Sequence, residues 1–429
     1  MSVRAHRLWG VVGVIAALGV LFALGVLLWP APSVQAVAIQ PSPELVARGR
    51  YVATAADCVA CHTTEGGQPY AGGRAFKLPF GTIYAPNITP DRQTGIGAWT
   101  AGEFLRAVRQ GVGRQGEELY PAFPYTSYHR MTDQDVLAVK AYLATLAPVR
   151  HETPRNALAF PFNQRPLMRF WKLLFMPRQG FHADSGKPAD WNRGAYLVTA
   201  LGHCGECHTP RNLLYGPSGR ALSGETMQGW TAWNITSDPH HGVGAWSTDE
   251  IAAYLRYGYA PGRGVASGPM KEAVDYSLSQ LTPQDLTAIA VYLKSTPASD
   301  SGPAVAPANA PAARAPPTGP ADVGPADRGR RIFEGACASC HAWNGEGQQT
   351  PIAALSGRRS VYDPHARNVM QTVLRGGRVA APQGQAFMPA FGAAYSDAEI
   401  AAVSNYVVSH FGGQTGRAAP RDVTRARSE

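Results

Sequence analysis

The chain has 429 residues, of which 45% are hydrophobic and 16% charged, with a formal net charge of +9. That length is too great for one core and suits about three domains. Much of the positive charge lies at the ends (Arg4 and Arg7 before an apolar N-terminus, four Arg against two acids from Gly413 onward), so composition carries no signal of nucleic-acid binding.

Leu8 to Trp29 carries no charged residue over 22 positions. A signal-peptide core is about 7–15 residues long, whereas a membrane span needs about 20. Residues 1–36 therefore read as an N-terminal transmembrane helix, with Arg4 and Arg7 holding the N-terminus in the cytoplasm. Val34-Gln35-Ala36 also passes as a small-residue cleavage site, and a removed signal peptide is the competing reading.

Cys58-Val59-Ala60-Cys61-His62 comes next, and the pattern recurs as Cys204-Gly205-Glu206-Cys207-His208 and Cys337-Ala338-Ser339-Cys340-His341. Cys-x-x-Cys-His is the attachment signature of c-type haem. Two thiols add across the porphyrin vinyl groups, and the adjacent histidine reaches the iron from one face. All six cysteines are used in these motifs. Zinc would want a second Cys or His pair for each motif, and a thioredoxin-like centre would not need the trailing histidine. The expectation is three covalently bound haem c groups, with His62, His208 and His341 on iron. Likeness to c-type cytochromes, whose haem is attached outside the bacterial inner membrane, implies that the haem domains stand on its periplasmic side.

The motifs divide the chain into a first haem domain over 43–150, a connector over 151–186, a second domain over 187–297 and a third over 327–412. Each domain closes on a capped amphipathic helix. Thr132 precedes the stripe Val136, Val139, Leu143; Thr282 and Pro283 precede Leu286, Ile289, Leu293; Ser396 and Glu399 precede Ile400, Val403, Val407. A tyrosine stands just before the last stripe residue each time (Tyr142, Tyr292, Tyr406), and three stripes in register behind three haem motifs are an internal repeat. Arg48-Gly49, Arg193-Gly194 and Arg328-Gly329 lead into the motifs. Asn87-Ile88-Thr89 recurs as Asn234-Ile235-Thr236, but only in the first two repeats. The fold class is all-α, three small haem domains behind one membrane helix. The first two domains are expected to pack closely, and the third to ride on the Pro/Ala-rich linker 298–326. The tail 413–429 is polar and reads as disordered. The stretch from Phe160 to Met176 is too charged to span a bilayer and reads as packing between the first two domains, with membrane or partner contact as the other reading.

A haem bound by one histidine takes a sixth ligand, and methionine thioether is the usual choice for electron transfer. Met131, Met270 and Met388 each stand alone between the middle and last helices of a repeat. Met131 abuts the helix cap, whereas Phe123 stands closer to the place that Met388 has in its own repeat. His129 is the competing ligand for the first iron. The other histidines outside the motifs, such as His151, His203 and His365, read as surface or packing residues.

The three motifs, Tyr120-Pro121-Ala122-Phe123-Pro124-Tyr125, Pro161-Phe162-Asn163 and Gly268-Pro269-Met270 together resemble the three-haem cytochrome c subunit of bacterial membrane-bound dehydrogenases, over most of Arg48 to Phe411. The resemblance implies a subunit without substrate chemistry of its own. Its electrons would come from a dehydrogenase catalytic subunit of flavin, quinone-cofactor or molybdenum type and pass to ubiquinone or a terminal oxidase. Some relatives have Met where this chain has Phe123, and others attach to the membrane through a C-terminal helix. A free periplasmic shuttle and a haem peroxidase are the competing functions; the latter needs an iron with an open sixth position.

Overall fold

The computed structural model describes residues 3–304 and 325–429, so most of the Pro/Ala linker lies outside the described residues. The chain forms two compact units, one of Met1–Arg50 with His62–Phe181 and one of Tyr51–Cys61 with His182–Glu429. The fold is mostly helical.

The same helix crossing is built three times. A helix ahead of each haem motif (Pro43–Ala55, Ala189–Tyr196, Pro325–Ile332) meets the last helix of its repeat (Asp133–Leu143, Pro283–Leu293, Asp397–Gly412). The Arg-Gly pair explains the crossing. A Cβ on Gly49 would stand 1.9 Å from the Ala138 carbonyl oxygen, one on Gly194 1.9 Å from that of Ala288, and one on Gly329 2.2 Å from that of Ala402. Only glycine lets the backbones approach so closely. The tyrosine Cβ atoms of Tyr142, Tyr292 and Tyr406 close the other side of each notch. All nine stripe residues of the last helices are buried, none more than 6% exposed.

Thr132, Thr282 and Ser396 cap these helices as expected. Ser396 with Glu399 makes the full capping box, in which each side chain satisfies a backbone N–H of the other's residue. In the first two repeats the third helical residue is Asp, and its carboxylate turns to the arginine of the crossing instead. Arg48 Nε donates to Asp135 at 2.8 Å, and Arg193 grips Asp285 with Nε at 2.8 Å and Nη2 at 2.6 Å.

Three features differ from the all-α reading or its packing. Four small antiparallel sheets are present among the described residues, with strands of two to five residues such as Gly377–Ala381 paired to Gly384–Met388. They are hairpin excursions between helices, too short to show a period of two in the sequence. Second, the third segment packs on the second within one unit. Asn368 exchanges hydrogen bonds with the Thr231 backbone at 2.8 and 3.1 Å. Third, the tail is ordered, with a helix over Pro420–Ser428 whose Val423 and Ala426 are buried in the core of the third segment. Two apolar residues on one face were too few to outweigh four arginines in a composition reading. Arg427 holds the helix down by an ion pair with Asp397 at 2.7 Å.

In the first unit an apolar helix, Val3–Leu28, leads the chain, and none of its Val11–Leu28 stretch is buried. The connector helix Met168–Phe175 packs on the first haem segment, with Trp171 edge-on to Tyr125. Beneath it, buried Glu118 pairs with Arg169 Nε at 3.0 Å and Lys172 Nζ at 2.5 Å. Arg169 Nη1 also donates to the carbonyls of Leu27 and Trp29, both at 2.6 Å, and so caps the C-terminal end of the apolar helix.

Candidate haem-binding sites

Each motif forms a single helical turn, at Cys58–Cys61, Gly205–His208 and Ala338–His341. In the second and third repeats one turn of wider π-helix, Leu197–Leu201 and Phe333–Cys337, joins the first helix to the motif. Such turns are rare and recur at functional sites.

The three histidines share one geometry. His62 Nδ1 lies 2.7 Å from the Pro86 carbonyl, His208 Nδ1 2.5 Å from that of Trp233, and His341 Nδ1 2.6 Å from that of Ala353. A carbonyl can only accept, so Nδ1 carries the proton and Nε2 keeps its lone pair for a metal. Burial lowers the pKa of all three rings against the opposing effect of these bonds, favouring the neutral ligand form.

The Asn-x-Thr pairs hold the acceptor carbonyls in place. Asn87 follows Pro86, and Asn234 follows Trp233. In each, the Asn Oδ1 accepts from the Thr backbone N at 2.9 Å and from the Thr hydroxyl at 2.7 Å. The Asn amide donates to the chain beyond the last helix, to Val149 O and to Ser299 O, both at 2.7 Å. The third repeat has no such motif. There Arg358 spans the acceptor loop, donating to Pro351 O at 3.0 Å, Ile352 O at 3.2 Å and Ala354 O at 3.0 Å. Sequence reading found the recurring Asn-x-Thr but not its task; its place one residue after each acceptor was the available signal. Arg358 had no signal, because its partners are backbone carbonyls.

Burial pushes the Cys58 and Cys207 thiols up to about 12 and those of Cys204 and Cys337 up to about 11. These surroundings suit neutral sulfur, as in a thioether.

The three methionines occupy different settings. Met131, 3% exposed, sits between a short helix at Tyr125–Tyr128 and the last helix of its repeat. Met270 is half-buried at the start of the helix Pro269–Tyr276, which packs against the Cys58–Cys61 turn. Met388 ends a strand opposite Gly377 and packs on the third core. Phe123 lies edge-on to Tyr128 with ring centroids 5.5 Å apart. His129 is tied to Arg109 both ways: its Nδ1 meets the Arg109 carbonyl at 3.0 Å, while Arg109 Nε and Nη2 donate to the His129 carbonyl at 3.2 and 3.0 Å. That reciprocal brace fixes the ring, and with Nδ1 on a carbonyl its Nε2 keeps a lone pair as in the motif histidines, so the geometry leaves His129 as the competing ligand.

The residues fit haem c: the Nδ1 bonds leave each histidine's Nε2 lone pair for iron, each motif brings two thiols to one turn, and among the described residues buried Arg359 keeps Nε and Nη2 without a protein partner. Bound haem supplies one-electron exchange at iron, while the chain orients the imidazoles and excludes water around them.

Comparison with known proteins agrees. The cytochrome c family model matches residues 46–147 and 326–411. A nicotinate dehydrogenase subunit of Pseudomonas putida is 41% identical over 86% of this chain, although the chain spans only 30% of that relative's length. The fructose dehydrogenase cytochrome subunit of Gluconobacter japonicus is 38% identical, over 90% of this chain and 84% of its own. The gluconate 2-dehydrogenase cytochrome c subunit of Pantoea cypripedii is 36% identical over 91% of both. The chain thus belongs to the cytochrome c family, in the group of cytochrome subunits of bacterial dehydrogenases.

Proposed function

We propose that the chain is a membrane-anchored carrier of three haem c groups that takes electrons from a partner dehydrogenase and hands them to quinone or a terminal oxidase. The observation that carries this reading is the threefold Cys-x-x-Cys-His turn whose histidine Nδ1 is committed to a carbonyl. Met131, Met270 and Met388 are the proposed sixth ligands. The capping of the apolar helix by Arg169 supports the anchor, since it makes the end of that helix part of the folded first unit. The haem domains would stand on the periplasmic side.

The test uses full-length protein from membranes. Haem content should be three per chain, and the haems should be reduced by a substrate only with the dehydrogenase subunit present. Reduction of the isolated cytochrome by an alcohol, a sugar acid or an N-heterocycle would overturn the carrier reading. Recovery of the intact chain in the soluble periplasmic fraction would overturn the anchor.

A further inference from the structure

Arg359, in the third segment, is 5% exposed. Burying a guanidinium is costly unless its donors and its charge are both met. Nη1 donates to the Asn234 carbonyl at 2.9 Å, and the guanidinium lies over the Trp233 ring, 5.3 Å from its centroid. Among the described residues, Nε and Nη2 are buried without a partner and Arg359 forms no ion pair. The cation persists, because burial lowers its pKa only to about 10, with Tyr254 and Asp238 acting in the opposite sense.

The two free donors matter because of what stands beside them. Trp233 supplies the carbonyl that accepts from His208 Nδ1. So the third segment places a buried, unneutralised cation at the loop that orients the ligand of the second motif. Nε and an adjacent Nη of arginine form a planar fork that matches a carboxylate in two parallel hydrogen bonds. Haem carries two propionate carboxylates, and the second motif brings one haem to this place.

We propose that Arg359 is a positioning residue of the second haem: its free fork binds a propionate of the haem attached at Cys204 and Cys207, and its charge sets that haem's potential from the neighbouring segment. This rests on the reading that the second motif carries haem. A fixed cation disfavours the ferric state, which carries one more positive charge than the ferrous. Docking of the third segment is then part of what tunes the second haem.

The experiment is a spectroelectrochemical titration of full-length holoprotein, with haem per chain measured on the same samples. The wave of the second haem is the one abolished by replacing Cys204 and Cys207 together with Ala. In Arg359→Gln that wave should move to lower potential, with at least a tenfold rise in its oxidised-to-reduced ratio at fixed applied potential, or 59 mV for a one-electron couple. The other two waves should stay in place. Arg359→Lys keeps the charge without the fork and should shift the same wave less. If Arg359→Gln loses haem, Arg359→Lys carries the test, through a shift of that wave at full haem content. An unchanged wave at full haem content, or an equal shift of all three waves, would overturn the proposal. Fewer than three haems in the unsubstituted protein would instead overturn the reading on which it rests.

Discussion

Gly194 lies directly against the backbone of Ala288, with room for no side-chain atom between them: a Cβ on the glycine would stand 1.9 Å from the Ala288 carbonyl oxygen. The same contact closes all three repeats, so it is the joint on which each repeat is hung. Gly194→Ala should therefore force the crossing helices apart and destabilise the second unit by about 1–3 kcal/mol, the usual range for overpacking. Gly219→Ala, where nothing lies within 4 Å, is the matched control and should be near neutral. Thermal unfolding of both variants decides the matter; equal behaviour would show that the joint yields.

Asp285 accepts from Arg193 and also from the Tyr51 hydroxyl, at 2.5 Å. Burial by itself would raise its pKa, but the hydrogen bonds from Arg193 and Tyr51 and the Arg193 charge together bring it below the usual value. A carboxylate with a depressed folded pKa stabilises fully above its unfolded value, about 3.9, and loses that contribution as pH falls through the folded value. Asp285→Asn should accordingly destabilise more at about pH 7 than at about pH 3. Chemical unfolding at the two pH values measures this, and a difference that does not shrink in acid counts against the ion pair as the cause.

Glu118 is the shared carboxylate of Arg169 and Lys172 under the connector helix. Burial already lowers the Lys172 pKa, and the bond and charge of Glu118 oppose that. Glu118→Gln leaves two partly buried cations side by side, and a loss of about 3–5 kcal/mol is expected from breaking such a pair. Since Arg169 also caps the apolar helix, protease sensitivity near Trp29 should rise in the same variant.

Asn87→Ala removes the acceptor for the Thr89 backbone N–H, which is buried, and frees the loop bearing Pro86. The cost should be about 1–3 kcal/mol, that of a buried donor left unsatisfied. A changed ferric spectrum of the first haem alone would show His62 reoriented; identical spectra for all haems would leave Asn87 a loop brace only.

For the first iron, Met131→Leu should abolish one sulfur-to-iron charge-transfer band and lower one potential, because thioether ligation raises it. If Met131 is the ligand, His129→Ala should leave both intact. If only the histidine change removes a ligand, Met131 is not the ligand.

Local chemistry alone made much of this protein legible. Adjacent residues carry the haem motif, and the caps and stripes of the last helices obey a period of 3.6, so both could be read without knowing what they pack against. The Arg-Gly pairs and the Asn-x-Thr turns were visible as repeats, yet their work depends on partners roughly 90 and 65 residues away, at Ala288 and Ser299, which only the fold brings near. The tail helix was hidden because two buried residues, Val423 and Ala426, decide its docking while three arginines dominate its composition. Arg359 shows the limit most plainly. Nothing in its own segment distinguishes it from a surface arginine, and only the packing of the third segment on Trp233 and Asn234 removes it from water and leaves its charge unanswered.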